Sequence, residues 1–178
     1  MKAVGYKQNL PIDNVNSLQD IEIEKPKATG RDILVEVKAI SVNPVDYKIR
    51  ANRSAPNGNW SVIGWDATGI VTEVGEDVTL FKVGDEVWYA GDLKRQGSNA
   101  EYQVVDERIV GKKPSSLSFV EAAALPLTSL TAYEMLFHRL QVSKDDANKS
   151  ILVIGAAGGV GSILVQLAKK LTKLNIIA

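Results

Sequence analysis

The sequence predicts an α/β protein in two parts, a small domain of short strands closing like a β-barrel and then the opening of a parallel-sheet domain. Three observations carry this. Ile33, Val35, Val37 and Ala39 alternate with Glu36 and Lys38, and other short runs of the same kind recur between glycine-acid turns such as Gly75-Glu76-Asp77 and Gly84-Asp85. After Gly111-Lys112-Lys113-Pro114 the period lengthens from that of strands to that of helices. Finally, Ile151–Ile154 form an unbroken apolar run, a glycine cluster follows, and Ile163–Lys170 then read as a helix with lysines in its last turn. The domain change falls near Lys113 to Ser118, giving domains at 1–115 and 116–178.

The elements follow in order. Lys2–Tyr6, Ile21–Glu24, Ile33–Ile40, Gly69–Val74, Glu86–Ala90 and Ala100–Val105 are expected strands. One helix interrupts them. Asn43 suits the N-cap, Pro44 the first turn and Asp46 the third helical position, and the helix runs to Arg50. Ala51 to Trp60, rich in Asn, Pro and Gly, is expected as an exposed loop. Ser118 and Glu121 have capping-box spacing ahead of Ala122-Ala123-Ala124. Pro126 is expected to stop that helix, and Thr128 or Ser129 to start another reaching about Leu140. The polar stretch Ser143–Lys149 leads to Ile151–Ile154, read as a strand buried on both faces, and Leu174–Ala178 is the second strand of the unit.

Strand, glycine turn and helix together are the start of a dinucleotide-binding βαβ unit. The turn reads Ala156-x-Gly158-x-x-Gly161, or G-x-x-G-x-x-G counted from Gly155. Glycines allow backbone to approach a pyrophosphate, and the helix N-terminus offers it unpaired N–H groups and partial positive charge. A purely structural glycine turn is the alternative. Gly158, Gly159 and Gly161 are the positions expected at the pyrophosphate, with Val160 and Ser162 contributing backbone N–H groups.

Composition limits the rest. Among 178 residues, Lys+Arg and Asp+Glu balance at 21 each, so nothing points to nucleic acid or an anionic membrane surface. Hydrophobic residues make up 45%, enough for a core. There is no cysteine, which removes disulfides, thiolate metal sites and a cysteine nucleophile together. With no signal h-region and no apolar run of membrane-spanning length, a soluble, cytoplasmic protein is expected.

Four segments then carry a resemblance. Ser41-Val42-Asn43-Pro44-Val45-Asp46-Tyr47-Lys48-Ile49-Arg50 resembles the S-V-N-P-x-D-x-K-x-R segment of quinone oxidoreductases in the medium-chain dehydrogenase/reductase superfamily. Gly64–Val71 resembles its G-x-E/D-x-x-G-x-V segment, Leu125–Tyr133 its L-P-x-x-x-x-T-A segment, and Ala156–Ser162 its A-A-G-G-V-G-S turn. The resemblance implies a GroES-like barrel domain joined to a Rossmann domain, with NADPH as cofactor, a quinone or α,β-unsaturated carbonyl as substrate, and a homodimer when complete. Many members are zinc alcohol dehydrogenases whose G-H-E segment supplies a histidine ligand. Here Trp65 stands at that position and there is no cysteine, so the chain resembles the zinc-independent branch and no metal ligand is expected. The single histidine, His138, is expected as a surface or capping residue.

Without a metal, the chemistry implied is hydride transfer, for which the protein must orient the cofactor and stabilise charge. The resemblance places Asn43, Tyr47 and Lys48 near the nicotinamide and its ribose: Asn43 and Tyr47 as catalytic donors, Lys48 reaching ribose hydroxyls or phosphate. Asn43 could instead simply cap the helix, Tyr47 pack, and Lys48 be a solvated lysine. Thr128 is expected beside the nicotinamide or as a plain N-cap, and Trp60 and Trp65 as a wall for a flat substrate or as ordinary packing aromatics. The residues that tell NAD from NADP follow the second strand, and the sequence stops there, so a truncated chain is expected. The alternative to a reductase is a remnant that only binds or assembles.

Overall fold

The computed structural model describes residues 1–143 and 145–178, and they pack as two compact units, Met1–Pro126 and Leu127–Ala178.

In the first unit, β1 (Lys2–Tyr6) pairs antiparallel with β2 (Gln19–Glu22) and β4 (Ser61–Val62). A second, five-stranded antiparallel sheet has the order β7 (Tyr102–Asp106), β3 (Asp32–Ser41), β5 (Asp66–Val74), β6 (Glu86–Ala90), β8 (Val110–Lys112). The segment 97–101 joins the two sheets: Val4 N–H donates to Asn99 O at 2.7 Å and Gly97 N–H to Val62 O at 2.8 Å. Ile33, Val35, Ala67, Val71, Val87, Tyr89 and Val105 form the enclosed core. The alternation read in β3 therefore points inward as expected at Ile33 and Val35. Leu34 is also fully buried, so the start of the strand is covered on both faces. Register shifts at Leu34/Val35 and Val37/Ala39 let β3 twist as the sheet curls. β2 lies two residues before its expected place, and Val110–Lys112 adds a strand whose pattern was too short to read.

α1 (Pro44–Asn52) leaves β3 through the expected N-cap, Asn43. Within the loop after it, Pro56–Gly58 form a short 3-10 turn with Asn57 at φ 55°. α2 (Phe119–Ala123) has the expected capping box of Ser118 and Glu121 and lies on the barrel, where Thr68 Oγ1 donates to Phe119 O at 2.9 Å.

α3 (Pro126–Tyr133) corrects the helix boundary: Pro126 begins a helix rather than ending one, as its fixed φ and missing N–H suit a first position. Thr128 is thus inside the first turn and not an N-cap. The helix runs on into a π-helical turn, Glu134–Arg139, in which Leu140 N–H reaches Met135 O at 2.9 Å. The polar stretch Ser143–Lys149 precedes β9 (Ser150–Leu152), its Lys144 lying outside the described residues. α4 (Gly159–Leu171) follows, then β10 (Asn175–Ile177), which pairs parallel with β9, so strand, helix and strand form the expected βαβ unit. The run Ile151–Ile154 is not buried on both faces: Val153 is buried against α3, the π-helical turn and α4, but Leu152 is 66% and Ile154 90% exposed. Ala132, Leu136, Val153, Leu164 and Ala168 form this unit's core.

Candidate functional site

In the first unit the candidate site is built around the start of α1. Asn43 leaves β3 in extended geometry and turns the chain into the helix, with Pro44 at its first position. Its backbone N–H donates to Asp46 Oδ2 at 2.5 Å, and Asp46 N–H returns to Asn43 O at 3.0 Å. The Asn43 amide is turned instead to β5, where Nδ2 donates to Asp66 Oδ2 at 2.8 Å. Asn43, Asp46 and Asp66 are all buried. Asp66 reaches this place because Gly64 takes a φ of +103°, and a β-carbon on Gly64 would lie 2.6 Å from Ser98 Oγ. Burial pushes the Asp46 carboxyl above its ordinary range, against the pull of the backbone N–H groups of Asn43, Asp46 and Gly64. Among the described residues its Oδ1 is buried without a hydrogen-bond partner.

Tyr47 and Lys48 stand on the outer side of the same helix. Both are exposed, Tyr47 to 58%. Arg50 is buried on the face of Asp46 and gives Nη1 to Leu10 O at 2.8 Å, tying the loop after β1 to the helix. Trp65 is a core residue, 3% exposed, with Nε1 donating to Asp92 O at 3.2 Å. It forms no wall. Trp60 is half-buried under the Lys7 ammonium, 4.7 Å from the ring centroid.

In the second unit the glycine turn opens α4. Gly155 takes φ +74°, Gly158 N–H closes the turn on Gly155 O at 3.0 Å, and the first α-helical bond is Ser162 N–H to Gly158 O at 2.9 Å. The N–H groups of Gly159, Val160 and Gly161 therefore precede the helical ladder, and among the described residues no side chain caps the helix at Gly158. This is the arrangement that receives a phosphate. The glycines differ in role. A β-carbon on Gly161 would lie 2.7 Å from Ala156 Cα and closer still to Gly155 O, so Gly161 is required by the turn itself. One on Gly158 would meet only Gly155 O, at 3.3 Å, leaving that side of the turn open for another molecule. Thr128 is brought to the turn, with its methyl 3.4 Å from where a Gly159 β-carbon would stand. Ser162 Oγ donates back to Gly159 O at 3.1 Å. Gly155 and Asp66 were missed as site residues by sequence reasoning. The glycine pattern counted from Gly155 held the first signal; nothing in the spacing of Asn43 and Asp66 shows that they meet.

With the geometry in place, relatives can be compared. Residues 29–115 match the alcohol dehydrogenase GroES-like domain. The chain is 47% identical over 175 residues to a zinc-type alcohol dehydrogenase-like protein of Staphylococcus aureus, covering 96% of this chain and 51% of that one. It is 40% identical over 179 residues to 2-methylene-furan-3-one reductase of Solanum lycopersicum, covering 95% and 44%. Among solved structures, a protein of Rhizobium etli described as a candidate zinc-dependent alcohol dehydrogenase superposes with TM-score 0.92 at 56% identity, covering 99% of this chain and 52% of that one. Escherichia coli quinone oxidoreductase complexed with NADPH superposes with TM-score 0.78 at 30% identity, covering 99% and 51%. The chain spans about half the length of the curated relatives it matches.

A GroES-like barrel followed by the opening of a Rossmann-type sheet is the architecture of a two-domain dehydrogenase. Through residues 29–115 and the order of its elements the chain is similar to the medium-chain dehydrogenase/reductase superfamily.

Zinc in the names of some relatives calls for a test of fit. The chain has no cysteine, its single histidine is exposed on the π-helical turn against Tyr133, and Trp65 is a core aromatic. Among the described residues no group of three or more His, Cys, Asp or Glu is placed to hold a metal. These residues do not fit zinc. Nor, among the described residues, is any helix long and apolar enough to cross a membrane.

Proposed function

We propose that the protein is an NADPH-dependent, zinc-independent oxidoreductase that reduces a quinone or an α,β-unsaturated carbonyl, working as a homodimer. In this reading residues 1–115 are the catalytic domain and residues 116–178 open the dinucleotide-binding domain. The observation that carries it is the uncapped glycine turn ahead of α4, with its row of backbone N–H groups and the open side at Gly158. The names of the quinone oxidoreductase and the furanone reductase to which the chain is similar support the same chemistry.

Bound there, a reduced nicotinamide supplies hydride. The chain's residues do the rest. Gly158, Gly159, Val160, Gly161 and Ser162 hold the pyrophosphate by backbone contact. Thr128 packs on the turn and fixes its position. Lys48, exposed and cationic, takes ribose hydroxyls or phosphate, Asn43 faces the nicotinamide, and Tyr47 gives its phenolic O–H to the substrate's carbonyl oxygen. A quinone leaves as hydroquinone with two electrons and two protons added. An enone gains hydrogen at its β-carbon and a proton at its α-carbon.

Fluorescence titration of the full-length protein with NADPH tests the reading, followed by 340 nm assays with a simple quinone and a simple enone. Saturable binding that Gly158→Val abolishes, with turnover of either substrate, is expected. A wild-type protein that binds no NADPH overturns it, and leaves a binding or assembly domain, the reading that exposed Leu152 and Ile154 favour. Elemental analysis after dialysis is expected to find well under one zinc per chain, and a stoichiometric, chelator-sensitive zinc would refute the metal-free assignment.

A further inference from the structure

Ten asparagines are spread along the chain, and the surroundings of each decide what its side-chain amide can undergo. That amide is open to attack by the backbone nitrogen of the following residue, provided the nitrogen can lose a proton and reach the side-chain carbon. Asn43 is immune, because Pro44 has no N–H to lose. After Asn16 and Asn148 the N–H is engaged: Ser17 N–H donates to Asn14 O and Lys149 N–H to Asp146 O, both at 2.9 Å. Asn9 and Asn52 hold their amides in hydrogen bonds, to Ala51 O at 3.3 Å and to Lys48 O at 2.8 Å.

Asn57 differs from all of these. It precedes Gly58 in the one Asn-Gly pair of the sequence, and both residues are exposed in the 3-10 turn between α1 and β4. Among the described residues the Asn57 side chain makes no hydrogen bond. Its φ of 55° lies in the left-handed region, which asparagine tolerates better than most residues but not without cost. Gly58 is left-handed too, at +69°, and a β-carbon built on it would meet nothing within 4 Å, so the approach to its nitrogen is uncrowded. The turn is closed by Asn59 N–H to Pro56 O at 3.1 Å, an exposed bond of the kind that opens locally.

We propose that Asn57 is a self-modification site, at which the Gly58 backbone nitrogen displaces the Asn57 side-chain nitrogen and leaves a carboxylate in its place. Hydroxide takes the Gly58 amide proton, the nitrogen bonds to Asn57 Cγ, and a succinimide ring closes. The bond from Cγ to Nδ2 breaks, and that nitrogen recovers a proton from water and leaves as ammonia. Water then opens the ring at either carbonyl. One opening gives aspartate, and the other gives isoaspartate, with the backbone running through the β-carbon. Ammonia is lost, water is added, and nothing is oxidised or reduced. The product carries one more negative charge, and its isoaspartate form lengthens by one methylene the loop that follows the helix bearing Tyr47 and Lys48.

The test needs neither cofactor nor substrate. The 178-residue chain is incubated at physiological temperature at neutral and at mildly alkaline pH, then digested, and each asparagine is assigned by fragmentation mass spectrometry. The expected result is exchange of NH2 for OH at Asn57 ahead of every other asparagine, in two separable products of equal mass. The rate should rise with pH as hydroxide does, and labelled water should place its oxygen in the new carboxylate. Asn57→Gln, which would have to close a larger ring, should stay unmodified over the same period. Exchange that begins at another asparagine would overturn the proposal. So would an Asn57 that survives in the folded chain while the urea-unfolded chain reacts there, since the turn would then shield it. Aspartate as the single product would also overturn it, because direct hydrolysis of the side chain passes through no ring. Should Asn57→Gln fail to fold, the wild-type products and their order of appearance decide.

Discussion

Gly158 and Gly161 stand three residues apart in one turn, yet their surroundings separate packing from ligand approach. A side chain at Gly161 must displace Gly155 and Ala156 backbone, whereas one at Gly158 meets a single carbonyl at 3.3 Å. Gly161→Ala should therefore lower the stability of the second unit by about 1–3 kcal/mol, the usual cost of overpacking a tight site, with or without cofactor. Gly158→Ala should leave the melt almost unchanged and weaken NADPH. Differential scanning calorimetry beside a fluorescence titration separates the two; equal melts for both variants would mean the turn can open without cost. Lys48 gives a second residue-scale expectation. It is exposed, so the contact with ribose or phosphate proposed for it would be screened, and Lys48→Ala should cost about 1 kcal/mol, or roughly fivefold in cofactor affinity. Single-turnover kinetics should show the hydride step little changed. A slow chemical step at unaltered affinity would move Lys48 to the carbonyl oxygen.

α1 shows how a helix start becomes a site. Its third residue, Asp46, answers the helix dipole and closes on the Asn43 N–H, but it does so in a buried place that raises its carboxyl. A raised folded value has a definite consequence. Below the ordinary carboxylate range the folded and unfolded chains are both protonated at Asp46. As pH climbs through the raised value the unfolded chain has already released its proton, so this group's contribution to stability falls. Asp106, held low by Arg108, and Glu121, held low by Ser118, act in the opposite direction, but they are common to wild type and variant. Urea midpoints of Asp46→Asn minus those of wild type should therefore rise with pH from about pH 4 toward neutrality. A flat difference would mean Asp46 is not perturbed. Much of this element was legible in sequence. Asn, Pro and Asp in their first-turn positions named α1, and Ser118 with Glu121 named α2, because capping is local chemistry. Strand, glycine turn and helix at the end of the chain were legible for the same reason. What local pattern could not show was the partner: Asn43 and Asp66 meet only because β3 and β5 pair with Ser41 opposite Asp66. Likewise Ile151–Ile154 had the composition of a strand covered on both faces, but whether a face is covered depends on what packs there. Pro126 begins α3 where the pattern predicts a stop because proline both ends helices and begins them, and only the geometry of the chain before it decides.

The two units differ in what holds them. The first encloses seven core residues between curled antiparallel strands, with Ile33, Leu34, Val35, Ala67 and Val87 wholly removed from solvent. The second is about fifty residues long, has a two-stranded parallel sheet, and leaves Leu152, Ile154 and Ile177 half or more exposed. Small units bury a smaller fraction of their apolar surface, and a parallel sheet relies on cover over both faces. The five-stranded sheet should therefore open only with global unfolding, and β9 and β10 by cheaper local excursions. Native-state hydrogen exchange on the 178-residue chain measures this directly. Amides of β3 and β5 are expected to be slowest, with those of β9, β10 and the last turns of α4 exchanging at least tenfold faster, a gap of about 1.4 kcal/mol or more. Added NADPH should slow exchange at Gly159, Val160 and Gly161, the N–H groups that precede the helical ladder, more than anywhere in β10. If instead β9 and β10 are as protected as β3 without ligand, the exposed apolar face must be covered in solution, and a concentration-dependent rise in that protection would identify the cover as a second copy of the chain.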